Sequence, residues 1–295
     1  MTARQPVPAR LRVGVVGAGR VGAVLGAALA SAGHRVVAVS AGSKQSRARA
    51  VALLPGVPVV PADRVPMGAD VVLLAVPDDA LPHVVTELVG AFEPGQLVAH
   101  TSGLHGLAAL DPAVRAGARP LALHPVLPFT GTRHDLARLT GIAYGVTAPD
   151  DLRPVAQALV DDLAGELVWV VEQRRALWHA ALAHGANHLT SLVASSADLL
   201  RLAGAEHPER VLAPLLDAAL SGALREGDDA LTGPVVRGDA GTLRAHLEVL
   251  AAVAPEVLPS YLAMARLTAD RALASGRLDP DRAGALLDVL GCVPR

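Results

Sequence analysis

A chain of 295 residues is long enough for two domains with separate cores, and 52% apolar against 18% charged residues excludes a largely disordered polymer. A formal net charge of -2 gives no electrostatic drive toward nucleic acid or an anionic membrane, so neither is expected as a partner. Cys292 is the only cysteine, which excludes an internal disulfide and a cysteine-rich zinc site and fits a reducing cytoplasm.

Met1 to Arg12 carries arginines and prolines without the apolar core of a signal peptide, so no leader is expected. Arg12–Val16 then reads as a strand, Gly17-Ala18-Gly19-Arg20-Val21-Gly22 as a glycine-rich turn, the stretch to Ala32 as a helix and Arg35–Ser40 as a second strand. Further strands are expected at Val57–Val60, Asp70–Val76, Gln96–His100 and Pro120–Leu123. They alternate with helices near Ser46–Leu54, Asp79–Ala91 and Leu107–Ala116. Two more strands, Ile142–Thr147 and Leu167–Val171, flank a helix near Leu152–Ala164. Beyond Gln173 only helices are expected, at Gln173–Ala203, Pro208–Glu226, Ala240–Val253, Pro255–Ser275 and Pro280–Leu290, with Pro208, Pro255 and Pro280 in first turns. The pattern predicts an α/β protein: a doubly wound Rossmann sheet over residues 1–150 and an all-α domain over 151–295 for substrate and dimerisation.

The longest stretch without formal charge, Ala176–Ala197, contains His179, His184, Asn187, His188 and several hydroxyls, which makes it a poor membrane span; a soluble protein is expected. Lys44 is the only lysine, so a mechanism needing a lysine beyond the first fifty residues is excluded.

The glycine turn follows a strand and opens a helix, the context in which GxGxxG binds a dinucleotide. Gly17 permits the tight turn, Gly19 lets the backbone approach a pyrophosphate, and Gly22 allows close helix–strand packing. The helix start supplies free N–H groups and a positive dipole end. An NAD site places an acid at the end of the second strand to accept from the ribose hydroxyls. Here Ser40, Ser43, Lys44 and Arg47 stand instead, hydroxyls and cations suited to a 2′-phosphate, so NADP is the expected cofactor. Val76-Pro77 ends a later strand at the cofactor-facing edge, and Asp78 or Asp79 is expected to cap the next helix.

Two loops suggest a reaction centre. Ser102 and Gly103 follow one strand and offer a hydroxyl and N–H groups to a carboxylate or carbonyl, unless Ser102 is a turn hydroxyl. His124 follows the next strand as either a titratable group or a structural histidine. On the helix from Gln173, Trp178, Leu182, Leu189, Leu192 and Val193 fall on one arc, read as the core face. The other side carries His179, Asn187, Thr190 and Ser191, polar but uncharged, as a ligand-facing surface would be. His184 and His188 are spaced i, i+4, but without a third ligand no metal is expected. In Leu231–Asp239, Arg237 either holds a substrate carboxylate or pairs on the surface, and Asp239 is expected to cap the following helix. So many apolar residues after Gln173 predict a homodimer through the helical domain.

On these motifs, together with His124-Pro125, Phe129 and Thr232-Gly-Pro, the chain resembles the Rossmann-like proteins with a helical C-terminal domain of unknown function. These are relatives of 6-phosphogluconate dehydrogenase and ketopantoate reductase. The resemblance implies a 6-phosphogluconate dehydrogenase-like helical domain and an NADPH-dependent reductase of a small 2-keto acid, with ketopantoate one candidate. Aligning Asn187-His-Leu-Thr190 with the Asn-Pro-Leu-Thr of ketopantoate reductases puts His179 where their catalytic lysine stands. The implied roles are His179 as proton donor, Asn187 as orienting group, and Ser102, Gly103, Ser191 and Arg237 as substrate contacts, with His124 a further catalytic candidate. The alternatives are another NADP oxidoreductase (an imine or deazaflavin-dependent reductase, or a β-hydroxyacid dehydrogenase) and a non-catalytic nucleotide-binding regulator.

Overall fold

The computed structural model describes residues 10–291; Cys292 and the segment read for a leader up to residue 9 lie outside them. Two compact units follow one another along the chain, Met1–Gly185 and Ala186–Arg295. Among the described residues the first contains seven strands: β1 (Arg12–Val16), β2 (Arg35–Val39), β3 (Val71–Leu74), β4 (Leu97–His100), β5 (Arg119–Pro125), β6 (Ala143–Thr147) and β7 (Glu166–Trp169). They form one sheet in the order β2-β1-β3-β4-β5-β6-β7. Pairs among β1 to β5 are parallel, β6 runs antiparallel to β5, and β7 is parallel to β6. Helices α1 (Arg20–Ser31), α2 (Lys44–Leu53), α3 (Leu81–Glu87), α4 (Asp111–Arg115), α5 (His134–Arg138), α6 (Arg153–Asp162) and α7 (Arg175–Leu182) complete the unit.

β3 and β4 are buried along their whole length, which is why β3 and Leu97–Ala99 of β4 read as unbroken apolar runs rather than alternating ones. Two apolar cores result: one joins β1, α1, α2 and α6, and the other joins β3, α3 and α4. The expected strand at Val57–Val60 is reduced to a single parallel bridge, Val59 to Val39, on the outer side of β2. Counting that bridge restores the usual doubly wound order, with the chain reversing direction across the sheet at β1. The carboxyl ends of β1, β3, β4 and β5 therefore share one edge.

The first unit extends past residue 150. β7 continues the sheet beside β6, and α7 carries a side chain buried at the sheet edge, so both belong to the α/β body. The expected long helix from Gln173 is interrupted: a π turn at Ala183–Asn187 separates α7 from α8 (His188–Leu202), and the boundary between the units falls inside it. Such wide turns cost regular hydrogen bonding and are frequent at functional positions.

The second unit comprises α8, α9 (Pro208–Glu226), α10 (Pro234–Arg237), α11 (Ala240–Val253), α12 (Leu258–Ala274) and α13 (Pro280–Gly291). Pro208 and Pro280 occupy first-turn positions as expected, but α12 starts at Leu258 with Pro259 in its first turn, leaving Pro255 in the preceding loop. α10 to α13 supply the unit's core, through residues such as Leu243, Leu262, Ala269 and Leu286. α8 contributes no buried residue. The arc read as a core face is therefore wrong in its second half: Leu189 and Leu192 are exposed in the single chain. Among the described residues no helix is long and apolar enough to cross a membrane.

Candidate active site

The glycine turn between β1 and α1 divides into glycines the protein itself requires and one it does not. Gly17 has φ +96°, and a Cβ there would lie 2.6 Å from the Ala75 carbonyl oxygen and close to Val76. A Cβ on Gly22 would lie 2.1 Å from the Gly17 carbonyl oxygen, so α1 could not approach the turn. A Cβ on Gly19 would meet nothing nearer than 3.9 Å. Internal packing thus accounts for Gly17 and Gly22 and leaves Gly19 open, which fits a ligand approaching the backbone there. Gly19 is the N-cap of α1, and the N–H groups of its first turn, Arg20 and Val21 among them, open toward that approach, whereas Ala18 N–H is taken by the Ser40 carbonyl at 2.8 Å.

Some of the predicted cofactor residues are engaged within the chain. Ser40 is buried and its hydroxyl accepts from Gly17 N–H at 3.0 Å, bracing the turn. Ser43 caps α2 in a reciprocal capping box with Ser46. Lys44 and Arg47, in the first turn of α2, are exposed, as a 2′-phosphate site after β2 requires. Gly131 lies so close to Arg20 and Arg49 that a Cβ would come 2.8 Å from Arg49 Nε. That loop is held by buried Asp135, which accepts from Thr130 N–H, Gly131 N–H and the Thr130 hydroxyl. Burial opposes the Asp135 charge, but these donors prevail and hold its carboxyl below the usual carboxylate range. Asp78 and Asp79 do not cap by their side chains; they begin a short 3-10 turn whose N-cap is Pro77.

Along the same edge, the turn after β4, the end of β5 and helix α7 converge. The rings of His124 and His179 lie 6.0 Å apart, edge to face at 83°. A Cβ on Gly103 would stand 2.8 Å from His124 Nε2 and 2.8 Å from His179 Cδ2, so the bare Gly103 faces both imidazoles. Ser102 is beside them but acts as a turn hydroxyl, accepting from Leu104 N–H at 3.2 Å and His105 N–H at 3.0 Å.

Arg175 organises this edge and was not foreseen. It is 1% exposed. Its guanidinium donates to the Ser102 carbonyl at 2.6 Å and to the Thr147 hydroxyl at 3.0 Å, joining the turn after β4 to β6. Burial pushes it down to about 10, opposed by Glu172 and Asp78, so it stays charged near neutrality. The signal was present: Arg175, Trp178, His179 and Leu182 are spaced i, i+3, i+4, i+7, and a cation on that stripe marks a polar site. Glu172, also missed, accepts from Leu107 N–H at 2.8 Å and Ala108 N–H at 3.2 Å, and only a glycine at 106 leaves room for it.

Burial holds two histidines neutral. His100 is fully buried, donates Nε2–H to the Gly106 carbonyl and is pushed down to about 4. His124 is also pushed down to about 4, by burial first and then by Arg175 and His179. A depressed histidine means the unfolded chain binds more protons between about pH 4 and the ordinary value of 6.5. Stability is then complete above about pH 6.5 and falls as the pH drops toward 4, by roughly 3 kcal/mol for His100 alone. Urea midpoints measured across that range are expected to fall; a flat profile would show that neither histidine is buried neutral.

The remaining predicted residues belong to the second unit. Asn187 closes the π turn at the start of α8, and Ser191 is exposed on α8. Arg237 takes the surface alternative, 2.9 Å from Asp239 and 60% exposed. Asp239 occupies the N-cap position of α11, but its carboxylate is engaged by Arg237 and makes no capping bond.

Residues 2–125 match the family profile of a Rossmann-like domain, and residues 142–268 match that of a domain of unknown function, DUF2520. No curated protein matches the sequence. Among solved structures, the chain is similar to a candidate NADP oxidoreductase from Bacteroides fragilis, with TM-score 0.77 at 20% identity over 88% of this chain and 98% of that one. It is also similar to 1-pyrroline-5-carboxylate reductase from Streptococcus pyogenes, with TM-score 0.61 at 16% identity, covering 89% and 98%. Pyrroline carboxylate reductase from Plasmodium falciparum, solved with NADP bound, gives TM-score 0.59 at 12% identity, covering 94% and 98%. The chain thus matches two family profiles in succession, a Rossmann-like domain followed by DUF2520.

Proposed function

We propose that this chain is an NADPH-dependent reductase of a small carbonyl compound, a 2-keto acid in the first instance, with ketopantoate one member of the set to test. The observation that carries the reading is the convergence of His124 and His179 on Gly103, at the sheet edge that also bears the glycine turn. When bound, NADPH supplies a hydride to the carbonyl carbon. The protein's part is to orient the carbonyl and supply the proton that its oxygen then takes up. His179 is assigned the proton, and a neutral His124 is suited to donate a hydrogen bond to the same oxygen. The cofactor residues in this reading are the Gly17–Gly22 turn, Val76 and Pro77, with Lys44 and Arg47 for the 2′-phosphate. The pyrroline carboxylate reductases among the structural relatives favour one second reading, in which a C=N bond is reduced instead of C=O.

The test is NADPH oxidation against a panel of 2-keto acids and cyclic imino acids, beside titration of NADPH and NADH. Turnover on one class and a tighter Kd for NADPH are expected. Equal affinities would remove Lys44 and Arg47 from 2′-phosphate binding, and oxidation of neither class would favour a regulator.

We also propose that a second copy of the chain covers α8 and α9. Leu192, Leu202, Val211, Leu215, Leu220 and Leu224 are exposed there, Leu224 by 79%. Together they offer apolar area of the order of the ~800 Å² per partner that stable dimers bury. Sedimentation equilibrium is expected to give a dimer at micromolar concentration; a monomer would overturn this.

A further inference from the structure

Trp178 takes no part in the chemistry proposed above, yet its indole is seated with little freedom. A Cβ on Gly145 would fall 2.8 Å from three of its ring atoms, so the ring lies flat on β6 where only glycine gives it room. Gly145 is the cross-strand partner of His124 in the antiparallel β5–β6 pair, which brings the indole beside the imidazole. There Trp178 Nε1–H donates to His124 Nδ1 at 3.2 Å.

An indole N–H is a donor only, so the nitrogen it meets must offer a lone pair. That assigns the tautomer. Nδ1 of His124 is unprotonated and the ring proton is on Nε2, the atom that faces Gly103 and His179. Adding a proton at Nδ1 would set two N–H groups against each other, so the same contact resists the imidazolium form. Burial acts the same way, and so do Arg175 and His179, which disfavour a cation at His124 and outweigh the opposing pull of Asp78. Nε2 makes no hydrogen bond within the described residues and is not among the sealed polar atoms.

We propose that Trp178 is a positioning residue that locks His124 as the neutral Nε2–H tautomer, making it a fixed hydrogen-bond donor to the substrate's carbonyl oxygen or imine nitrogen. The donor role rests on the reductase reading given above; the lock does not. A histidine so held polarises the acceptor without surrendering its proton, which leaves proton delivery to His179 and divides the work between the two imidazoles.

The test uses the full-length, ¹⁵N-labelled protein without nucleotide, with the His124 signals assigned by their loss in His124→Gln. At neutral pH the expected spectrum has Nδ1 as an unprotonated, pyridine-type nitrogen and Nε2 as a protonated, pyrrole-type one. Trp178→Phe keeps a ring on Gly145 but removes the N–H, and is expected to move both signals toward a tautomer average. Trp169→Phe, at an exposed site, is expected to leave them unchanged. An Nδ1–H or averaged spectrum in the parent protein, or no change in Trp178→Phe, overturns the lock whatever the activity assays give. Where turnover is found, Trp178→Phe is expected to lower kcat at least roughly tenfold, short of the 10²–10³-fold typical of removing a donor outright. Unchanged kcat beside a shifted spectrum overturns the donor role. Absence of turnover on every carbonyl and imine tested would instead sink the reductase reading and the donor role with it, while the nitrogen spectrum still decides the lock.

Discussion

Replacing His179 by alanine or glutamine is expected to lower turnover by roughly 10²–10⁴-fold, equivalent to about 3–5 kcal/mol of barrier, with little change in NADPH affinity. The size follows from its role as general acid: the alkoxide formed when hydride reaches a carbonyl must gain a proton, and His179 is one of the two imidazoles facing Gly103. Its companion His124 is held neutral, with Nδ1 engaged by Trp178, and is poorly placed to substitute. Glutamine keeps a hydrogen-bonding side chain without a transferable proton, so it should fail nearly as badly as alanine. The measurements are kcat and NADPH Kd on the same samples, with melting temperature as control. If turnover stays within a few-fold while the melting temperature drops, His179 only packs, and the proton comes from water.

Arg175→Met is expected to destabilise the first unit by roughly 2–5 kcal/mol, because it orphans buried acceptors rather than removing a surface charge. The Ser102 carbonyl loses a 2.6 Å charge-assisted bond and the Thr147 hydroxyl loses its donor, while the methionine fits the space without answering either. Against a typical stability of about 5–15 kcal/mol, that is a large fraction. Arg175→Lys should fall between, since an ammonium cannot span both acceptors as a planar fork does. Both tryptophans, Trp169 and Trp178, lie in the first unit, so fluorescence-monitored urea unfolding reports on it selectively. A midpoint unchanged from the parent at equal slope would show that this network contributes nothing net.

Periodic elements were legible because their determinants are local. α9 and α11 run over the residues expected, and the strand–turn–helix around Gly17 follows from glycine spacing and an apolar run that any doubly wound sheet requires. The expected strand at Val57–Val60 shows where local pattern stops. Its composition suits a strand, but Pro58 lacks an N–H and the segment lies at the sheet's edge, so one bridge to Val39 is all that forms. The core arc on α8 failed for a related reason. Periodicity reports that a helix face is apolar, not what covers it, and within one chain Leu192 is left exposed.

The candidate site divides along the same line. His124, His179 and the Ser102–Gly103 turn could be named from sequence because each follows a strand or interrupts an otherwise charge-poor helix with a titratable group. Which of them meet, and in what state, could not. The tautomer of His124 depends on Trp178, 54 positions away, and the seat of Trp178 depends on the absence of a side chain at Gly145. The Ser102 hydroxyl was diverted to Leu104 and His105 by the local turn, and its carbonyl was claimed by Arg175 from 73 positions away. By itself the sequence determined the order of the elements, the glycine turn and the cation-rich, acid-free end of β2, all set by composition and short spacing. Tertiary structure alone decided the protonation and partners of the buried groups, because desolvation and hydrogen bonding across the sheet edge exist only once β4, β5, β6 and α7 have come together.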